Sequence, residues 1–217
     1  MNRAYYPIFA DLRARACVVV GGGPVAQRKV TTLLRFGARV KVVSPRVTVR
    51  LAQYGRAGRI QHVARRFRPG DLKGAWLAIA ATAQTPVNDA VAREAAKARV
   101  FVNVVDQPSL CSFIAPAIAK RGELVIAVST GGASPTVAKR LRQRVQRIIG
   151  PEYASLVRLM GSLRGVAKRR LPRYADRKAY FDRLLESDVV DLIQAGRTAS
   201  ARRRALARLA QWAKNGQ

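Results

Sequence analysis

An apolar strand, a glycine-rich turn and an amphipathic helix follow one another near the start of this chain, and this succession constrains the fold more than any other feature. The run Cys17-Val-Val-Val20 is β-branched and apolar, which is typical of a strand buried on both faces of a parallel sheet. It ends in Gly21-Gly22-Gly23-Pro24, and apolar residues then recur at helical spacing from Val25 to Phe36. This order predicts the start of a Rossmann-type domain.

The glycine turn has the pattern G-x-G-x-x-A, formed by Gly21, Gly23 and Ala26. The first glycine permits the tight turn, the second lets a pyrophosphate approach the backbone, and the alanine keeps helix and strand close. The N–H groups at the start of the helix then face the phosphates. The alternative is a glycine turn that holds no nucleotide. We predict a dinucleotide site at Gly21, Gly22, Gly23, Pro24 and Val25.

Strands and helices continue to alternate after this unit. Apolar runs predict strands over 40–43, 60–63, 76–80 and 100–105, and helical spacing predicts a helix over 86–98. We therefore expect an α/β fold, a Rossmann-type doubly wound parallel sheet over residues 1–113. A strand over 124–129 and a helix from Ser134-Pro135 to Ile149 indicate a small α+β segment over 114–150. From 151 to 217 the pattern predicts a helical domain with helices over 152–169, 176–185, 189–194 and 198–213.

The residue that selects the dinucleotide is not the usual one. An acidic side chain about 20 residues after the turn normally binds the ribose hydroxyls of NAD. Ser44-Pro45-Arg46 occupies that place. Arg46 can pair with the 2′-phosphate of NADP or lie against the adenine, so the residues leave the choice between NAD and NADP open.

Composition limits the class of protein. Of the 217 residues, 49% are hydrophobic, which is too many for a disordered chain. Lys and Arg number 41 against 12 Asp and Glu, and the net charge of +29 attracts anionic ligands. Cys17 and Cys111 are too few for a disulfide framework, and we expect buried thiols. With no membrane span or signal peptide recognised, the interpretation is a soluble cytoplasmic protein.

Several blocks of sequence carry a resemblance to one family. They are Gly21-Gly22-Gly23-Pro24-Val25-Ala26-Gln27-Arg28-Lys29, Ala80-Ala81-Thr82, Asn88, Asn103-Val104-Val105-Asp106, Ser112-Phe113-Ile114-Ala115-Pro116-Ala117 and Ser129-Thr130-Gly131-Gly132-Ala133-Ser134-Pro135. In order and spacing, from Pro7 to about Arg144, the chain resembles the siroheme-synthase dehydrogenase/chelatase domain family. The helical remainder is similar in length and character.

The resemblance implies a precorrin-2 dehydrogenase that forms sirohydrochlorin with NAD as hydride acceptor. In many members the same site then inserts ferrous iron, a substrate and not a bound cofactor, to give siroheme. It also implies a homodimer, with 114–150 as an intertwined dimerisation segment and the helical domain completing the cleft for a polyanionic tetrapyrrole. Uroporphyrinogen methylation is expected elsewhere. It places Thr82 in the cofactor site, while Arg46 departs from many members.

Asp106 is the predicted catalytic residue, and the alternative is a loop cap that accepts backbone N–H bonds. It follows the fifth strand, at the sheet edge where α/β folds bind ligands, and a carboxylate there suits a general base. The resemblance implies that it serves both oxidation and metal insertion. Asn103 is expected to orient the loop or the substrate, with a purely structural role as the alternative. Thr130 and Gly131 precede a helix and are expected to hold an anionic edge of the substrate, with a plain turn as the alternative.

Other residues are given lesser roles. His62, the only histidine, is assigned to packing or the surface, far from the motifs, and Asp89 and Glu94 to a solvated helix face. The sequence contains no cluster of Cys and His residues at metal-ligand spacing, so we expect no structural metal site. A rival class is an NAD(H)-sensing module, either a nucleic-acid regulator with a basic helical tail or a transport subunit. The charge is diffuse and no reading element is recognised, so we expect neither a nucleic-acid nor a membrane partner.

Overall fold

A computed structural model of the protein describes residues 4–215. The chain divides between Ala115 and Pro116 into two compact units. The predicted boundaries at 113 and 150 stay predictions, because this division keeps the whole of the second part together.

The first unit is built on a five-stranded parallel sheet with strand order β3-β2-β1-β4-β5. This confirms the doubly wound sheet, and every predicted strand lies within one residue of its observed ends. The strands are β1 (Ala16–Val20), β2 (Arg39–Val43), β3 (Ile60–Val63), β4 (Leu77–Ala80) and β5 (Phe101–Val104).

Alternate residues of the strands form two apolar clusters, one on each face of the sheet, because successive side chains of a strand point to opposite faces. Helices α1 (Pro24–Arg35) and α2 (Val49–Arg56) pack on the face that contains Val19, and α3 (Thr85–Lys97) packs on the face that contains Val20. A short 3₁₀ turn, Pro108–Leu110, follows β5. Helices on both faces explain why the strands are almost wholly apolar.

Helix α2 is not predicted by the sequence analysis. It has only eight residues, and only Leu51 and Tyr54 are buried, so its periodicity is too short to recognise. Its start is fixed by Thr48, whose hydroxyl accepts a hydrogen bond from the Leu51 N–H at 3.3 Å. The cap is the signal that would have located it.

The second unit begins with an antiparallel hairpin of β6 (Ala117–Arg121) and β7 (Leu124–Val128). The sequence pattern predicts β7 but not its partner β6. The turn requires Gly122, which has a φ of +57° and lies against Ala154. Five helices follow: α4 (Pro135–Ile148), α5 (Glu152–Arg170), α6 (Tyr174–Leu185), α7 (Asp188–Gln194) and α8 (Thr198–Asn215).

The last four helices share one apolar core. Leu163, Tyr180, Leu184 and Leu209 are all almost completely buried there. The Tyr180 hydroxyl donates to the carbonyl of Ala205 at 2.9 Å, so its polar atom is satisfied inside the core. The helical region is therefore as predicted. Over residues 4–215, no helix is both long and apolar enough to cross a membrane.

Candidate active site at the carboxyl edge of the sheet

The carboxyl edge of the first unit's sheet brings the predicted residues together from separate parts of the chain. Gly21 directly follows β1, Ser44 follows β2, and Thr82 and Asp106 lie just beyond β4 and β5. The strand order reverses between β1 and β4, and open α/β sheets bind ligands at this point. The geometry of the edge therefore matches that of a nucleotide site.

Two glycines of the turn are required by close packing against the next loops. Gly21 has a φ of +119°, and a Cβ at this position would overlap the carbonyl oxygen of Ala81. A Cβ on Gly22 would overlap the carbonyl oxygen of Arg46. The turn is thus held between the ends of β4 and β2, and larger residues would displace it.

Gly23 differs from its neighbours because it faces open space. A Cβ built there meets no atom within 4 Å, and its φ of −80° is available to any residue. It is the N-cap of α1, with Pro24 next, and it provides no side-chain hydrogen bond to the first turn. The uncapped N–H groups and the open space in front of them fit a pyrophosphate.

The loop after β2 is tied to the glycine turn. The Thr48 N–H donates to the Gly22 carbonyl at 2.9 Å, and the Thr48 hydroxyl donates to Gln27 Oε1 at 2.7 Å. Neither Gln27 nor Thr48 is singled out by the sequence analysis for this role. Pro45 and Arg46 are exposed beside the turn, where the adenosine end of the dinucleotide is expected.

The same loop corrects the interpretation of His62. The Ser44 hydroxyl donates to the Arg46 carbonyl at 2.7 Å, and a ring nitrogen of His62 lies 3.0 Å from the Ser44 carbonyl oxygen. His62 is therefore not far from the motifs but supports one of them. The contact cannot be recognised from the sequence, because His62 and Ser44 are distant along the chain and meet only through the pairing of β2 with β3.

Thr82 and Asn88 form a closed pair at the end of β4. The Thr82 hydroxyl lies 2.8 Å from Asn88 Oδ1, and Asn88 Nδ2 donates to the Thr82 carbonyl at 3.1 Å. Asn88 is only 4% exposed, so it fixes the loop from inside. Contact between Thr82 and the cofactor stays a prediction.

Asn103 is turned inward. It is 8% exposed, and its Nδ2 donates to the Phe113 carbonyl at 3.2 Å, with Cys111 Sγ 3.6 Å away. The Cys111 sulfur also accepts from the Val104 N–H at 3.2 Å. These contacts hold the segment after β5, and they fit both an orienting role and a purely structural one for Asn103. Its contact with substrate stays a prediction.

Asp106 projects from this braced loop and is exposed. Its φ of +59° lies in the left-handed region, which costs free energy for a residue with a Cβ and is concentrated at functional sites. Lys29 of α1 is close enough to interact: burial lowers the pKa of its ammonium, while Cys111 and Asp106 act to raise it. Lys29 belongs to the first family block but is given no role by the analysis.

In the second unit, Thr130 and Gly131 form a self-contained turn before α4. Thr130 Oγ1 donates to the Ser134 carbonyl and accepts from the Ser134 N–H, both at 3.0 Å. Ser134 caps α4 through the Val137 N–H. This N-terminus is thus already capped, unlike that of α1. The contact of Thr130 and Gly131 with an anionic substrate stays a prediction.

One further assignment is wrong. Glu94 is not a solvated side chain, because its Oε1 accepts from the N–H groups of Gly70 at 3.1 Å and Leu72 at 2.9 Å. The carboxylate thereby satisfies two backbone donors of the loop before β4. Asp89 is half-buried on the same helix.

An open parallel sheet with an uncapped glycine turn at its switch point defines an NAD(P)-binding protein of the Rossmann type. Residues 8–117 match the sequence model of the family described as "Putative NAD(P)-binding". Residues 121–148 match the sirohaem biosynthesis protein central region, and residues 152–210 match the sirohaem synthase dimerisation region. The chain belongs to the family of this NAD(P)-binding model, and the other two matches confirm its resemblance to the siroheme-synthase dehydrogenase/chelatase domain family.

Known relatives agree with this assignment. A siroheme synthase of Methylobacillus flagellatus is 42% identical over 196 residues, which are 90% of this chain and 42% of the relative. One from Thioalkalivibrio sulfidiphilus is 42% identical over 198 residues, 91% of this chain and 40% of the relative. The chain thus spans about two fifths of the length of the curated relatives it matches.

A solved structure shares the fold. The structure of SirC, precorrin-2 dehydrogenase, superposes with a TM-score of 0.75 at 23% identity, covering 95% of this chain and all of that one. The match confirms the predicted fold class, a Rossmann-type sheet followed by a helical region.

Proposed function

We propose that this protein oxidises precorrin-2 to sirohydrochlorin with NAD as the hydride acceptor. The observation that carries the proposal is the position of Asp106, an exposed carboxylate on a braced, left-handed loop at the same sheet edge as the open glycine turn. The family supports the tetrapyrrole substrate, because the relatives that match most of this chain are siroheme synthases.

The first step is binding of the dinucleotide. Gly23 and the start of α1 would receive its pyrophosphate, and Ser44, Pro45 and Arg46 its adenosine end. When bound, the nicotinamide accepts the hydride that leaves the macrocycle. The protein's part is to fix that ring close to the carboxyl edge of β5, where Asp106 lies.

Asp106 would act as the general base. Oxidation of precorrin-2 removes one hydride and one proton, so a carboxylate beside the macrocycle can take the proton that the dinucleotide does not. The braces under Asp106 are Asn103 and Cys111, which fix the loop from the interior. Because such a base is already held in position, little conformational entropy is lost when it is ordered in the transition state.

The excess of basic residues would concentrate the substrate. Precorrin-2 carries many carboxylates, and a protein with a net charge of +29 attracts such a ligand over long range. Arginine, which presents a planar fork of N–H donors, suits carboxylates particularly well. This attraction predicts an apparent substrate affinity that falls steeply as salt is raised.

A second reaction is proposed for the same site. Insertion of ferrous iron into sirohydrochlorin releases two pyrrole protons, and Asp106 can receive them in turn. The iron is a substrate here. Within residues 4–215 no cluster of three His, Cys, Asp or Glu side chains is arranged to hold a metal ion. We also propose a homodimer, supported by the match of residues 152–210 to a dimerisation region.

The test is an anaerobic absorbance assay with enzymatically generated precorrin-2 and NAD, NADP or neither, followed by ferrous iron. We expect sirohydrochlorin to form only with a dinucleotide, and the preferred one to reveal the role of Arg46. Asp106→Asn should retain dinucleotide affinity and lose turnover, because asparagine tolerates the left-handed backbone but cannot accept the proton. Asp106→Ala should lose turnover in the same way.

Asp89→Asn, on the half-buried face of α3, is the matched control and should turn over at the wild-type rate. Wild-type turnover in Asp106→Asn would remove Asp106 from the mechanism. If the folded wild-type protein formed no product with either dinucleotide, the dehydrogenase proposal would fail and an NAD(H)-sensing module would replace it.

A further inference from the structure

A second concave site lies at the amino edge of the sheet, opposite the glycine turn. It is a groove of about 460 Å³, lined by the first residues of β1, β2 and β3 and by the loop before β4. Four cationic side chains line it: Arg39, Lys41, Arg59 and Lys73. Among the described residues that line the groove there is no carboxylate.

Three of these cations are held in place by contacts with uncharged groups. Lys41 Nζ donates to the Asp71 backbone carbonyl at 2.6 Å, and Arg39 Nε donates to the Ala14 carbonyl at 2.9 Å. The Arg59 guanidinium stacks over the Tyr54 ring, 4.6 Å from its centroid. Carbonyls and an aromatic face orient a cation without cancelling its field, unlike a carboxylate.

The carboxylate of Asp71, the residue whose backbone carbonyl contacts Lys41, already has hydrogen-bond partners outside the groove. The Asp71 carboxylate accepts from Arg65 NH1 at 2.8 Å and NH2 at 2.7 Å, and from the Arg68 N–H at 2.8 Å. It also interacts electrostatically with Lys41. One carboxylate thus serves Arg65 and Lys41 together, so the groove as a whole keeps a surplus of positive charge.

Lys41 is out of place for a strand of a parallel sheet. It is the third residue of β2, between Val40 and Val42, which are both buried. Its neighbours across the sheet are Val18 and Gln61, so Lys41 and Gln61 form a polar row on an otherwise apolar face. A lysine here costs free energy of desolvation unless its charge is used.

The groove exists because the helices cover this face unevenly. The apolar cluster on the Val18 side takes its helical residues from α3, which packs against β4 and β5. Helices α1 and α2 cover the other face. The amino ends of β1, β2 and β3 are therefore left open at this edge of the sheet, beside Lys41 and Gln61.

We propose that this groove binds a small polyanion, a molecule with two or more phosphate or carboxylate groups. Its volume lies within the range of small-molecule sites, and an anion would relieve the repulsion between the four cations. Ala16, at the start of β1, lines the groove and lies about 17 Å along the strand from Gly21, so the groove is a separate site at the opposite edge of the sheet. The proposal does not depend on the dehydrogenase activity.

The experiment is a titration of ¹⁵N-labelled full-length protein with pyrophosphate, and separately with citrate, followed by amide chemical shifts at low ionic strength. We expect saturable shifts at Gly58, Gln61 and Lys73 with at least one probe. Pyrophosphate will also shift Gly23 and Val25, because the glycine turn is itself an anion site. The two groups of amides are thus read independently, and the two probes distinguish phosphate from carboxylate ligands.

The test variant is the double substitution Arg59→Gln and Lys73→Gln, which changes two exposed side chains. It should weaken binding at the groove at least tenfold and leave the shifts at the glycine turn unchanged. The matched control is Arg93→Gln with Lys97→Gln, which removes the same charge from exposed positions of α3. It should leave both sites intact.

Two outcomes would overturn the proposal. One is equal weakening of the groove in the test and control variants, which would mean that the net charge of the protein attracts the anion without a specific site. The other is the absence of saturable shifts at Gly58, Gln61 and Lys73 in the wild-type protein with both probes, which needs no variant to observe.

Discussion

Gly23→Asp separates the fold from the function at a single position. A side chain at Gly23 meets no protein atom within 4 Å, and the φ of −80° suits an L-residue. Aspartate is also a slightly better N-cap residue than glycine, because its side chain can accept a hydrogen bond from the first turn of the helix. We therefore expect the variant to fold with a free energy of unfolding equal to that of the wild type or a few tenths of a kcal/mol higher.

The same substitution should abolish dinucleotide binding. The new carboxylate would stand where the pyrophosphate approaches the start of α1. Two phosphate charges roughly 5 Å away, at an effective dielectric constant of about 40, raise the free energy of binding by about 3 kcal/mol. This corresponds to an increase in Kd of more than about 100-fold.

Isothermal titration calorimetry with NAD and NADP, together with thermal unfolding, measures both effects. Gly21→Ala is the contrasting variant, because its Cβ would overlap the Ala81 carbonyl at a φ of +119°. It should lose about 2 kcal/mol or more of stability. Unchanged dinucleotide affinity in a folded Gly23→Asp protein would refute the assignment of the glycine turn as the phosphate site.

Three further predictions concern stability and reactivity. Arg65 holds the pKa of Asp71 below its usual range, so the pair stabilises the fold at neutral pH and its contribution is lost as the pH falls below about 4 through that lowered pKa. Asp71→Asn should cost about 2 kcal/mol in denaturant unfolding at pH 7, and much less at pH 3. Burial raises the pKa of the Cys17 thiol to about 11, so little reactive thiolate is present at pH 8. Peptide-resolved alkylation at pH 8 should therefore leave Cys17 unmodified until the protein unfolds, and rapid labelling of native Cys17 would contradict this. Tyr180→Phe removes the hydrogen bond to the Ala205 carbonyl and should lower the free energy of unfolding, measured with denaturant, by about 1 kcal/mol. An unchanged free energy of unfolding would show that this hydrogen bond does not stabilise the fold.

The strands and most helices could be predicted because each carries its own periodic signal. β1 is a continuous apolar run, and α4 begins at a Ser-Pro cap that is visible in the sequence. Helix α2 and strand β6 lack such signals. Helix α2 buries only two residues, Leu51 and Tyr54, which are too few to show a helical period. Strand β6 is only half-buried along most of its length, so its position depends on pairing with β7.

The candidate site divides in the same way. The positions of Gly21, Gly23 and Asp106 at this edge could be predicted, because a strand-turn-helix unit and the end of a parallel strand are local features with a known place in the fold. Lys29 and His62 could not. Their roles depend on which loops meet at one edge of the sheet, which sequence spacing does not show.

The amino-acid sequence by itself determined the local backbone of this protein and the chemistry available at one edge of its sheet. Only the tertiary structure decided that Gly21 is pressed against a carbonyl while Gly23 faces open space, and that Glu94 caps a loop instead of meeting solvent. It alone placed Lys41 in a cationic groove. The reason is physical: periodicity reports the face of an element, whereas burial and charge pairing depend on contacts between residues distant in the chain.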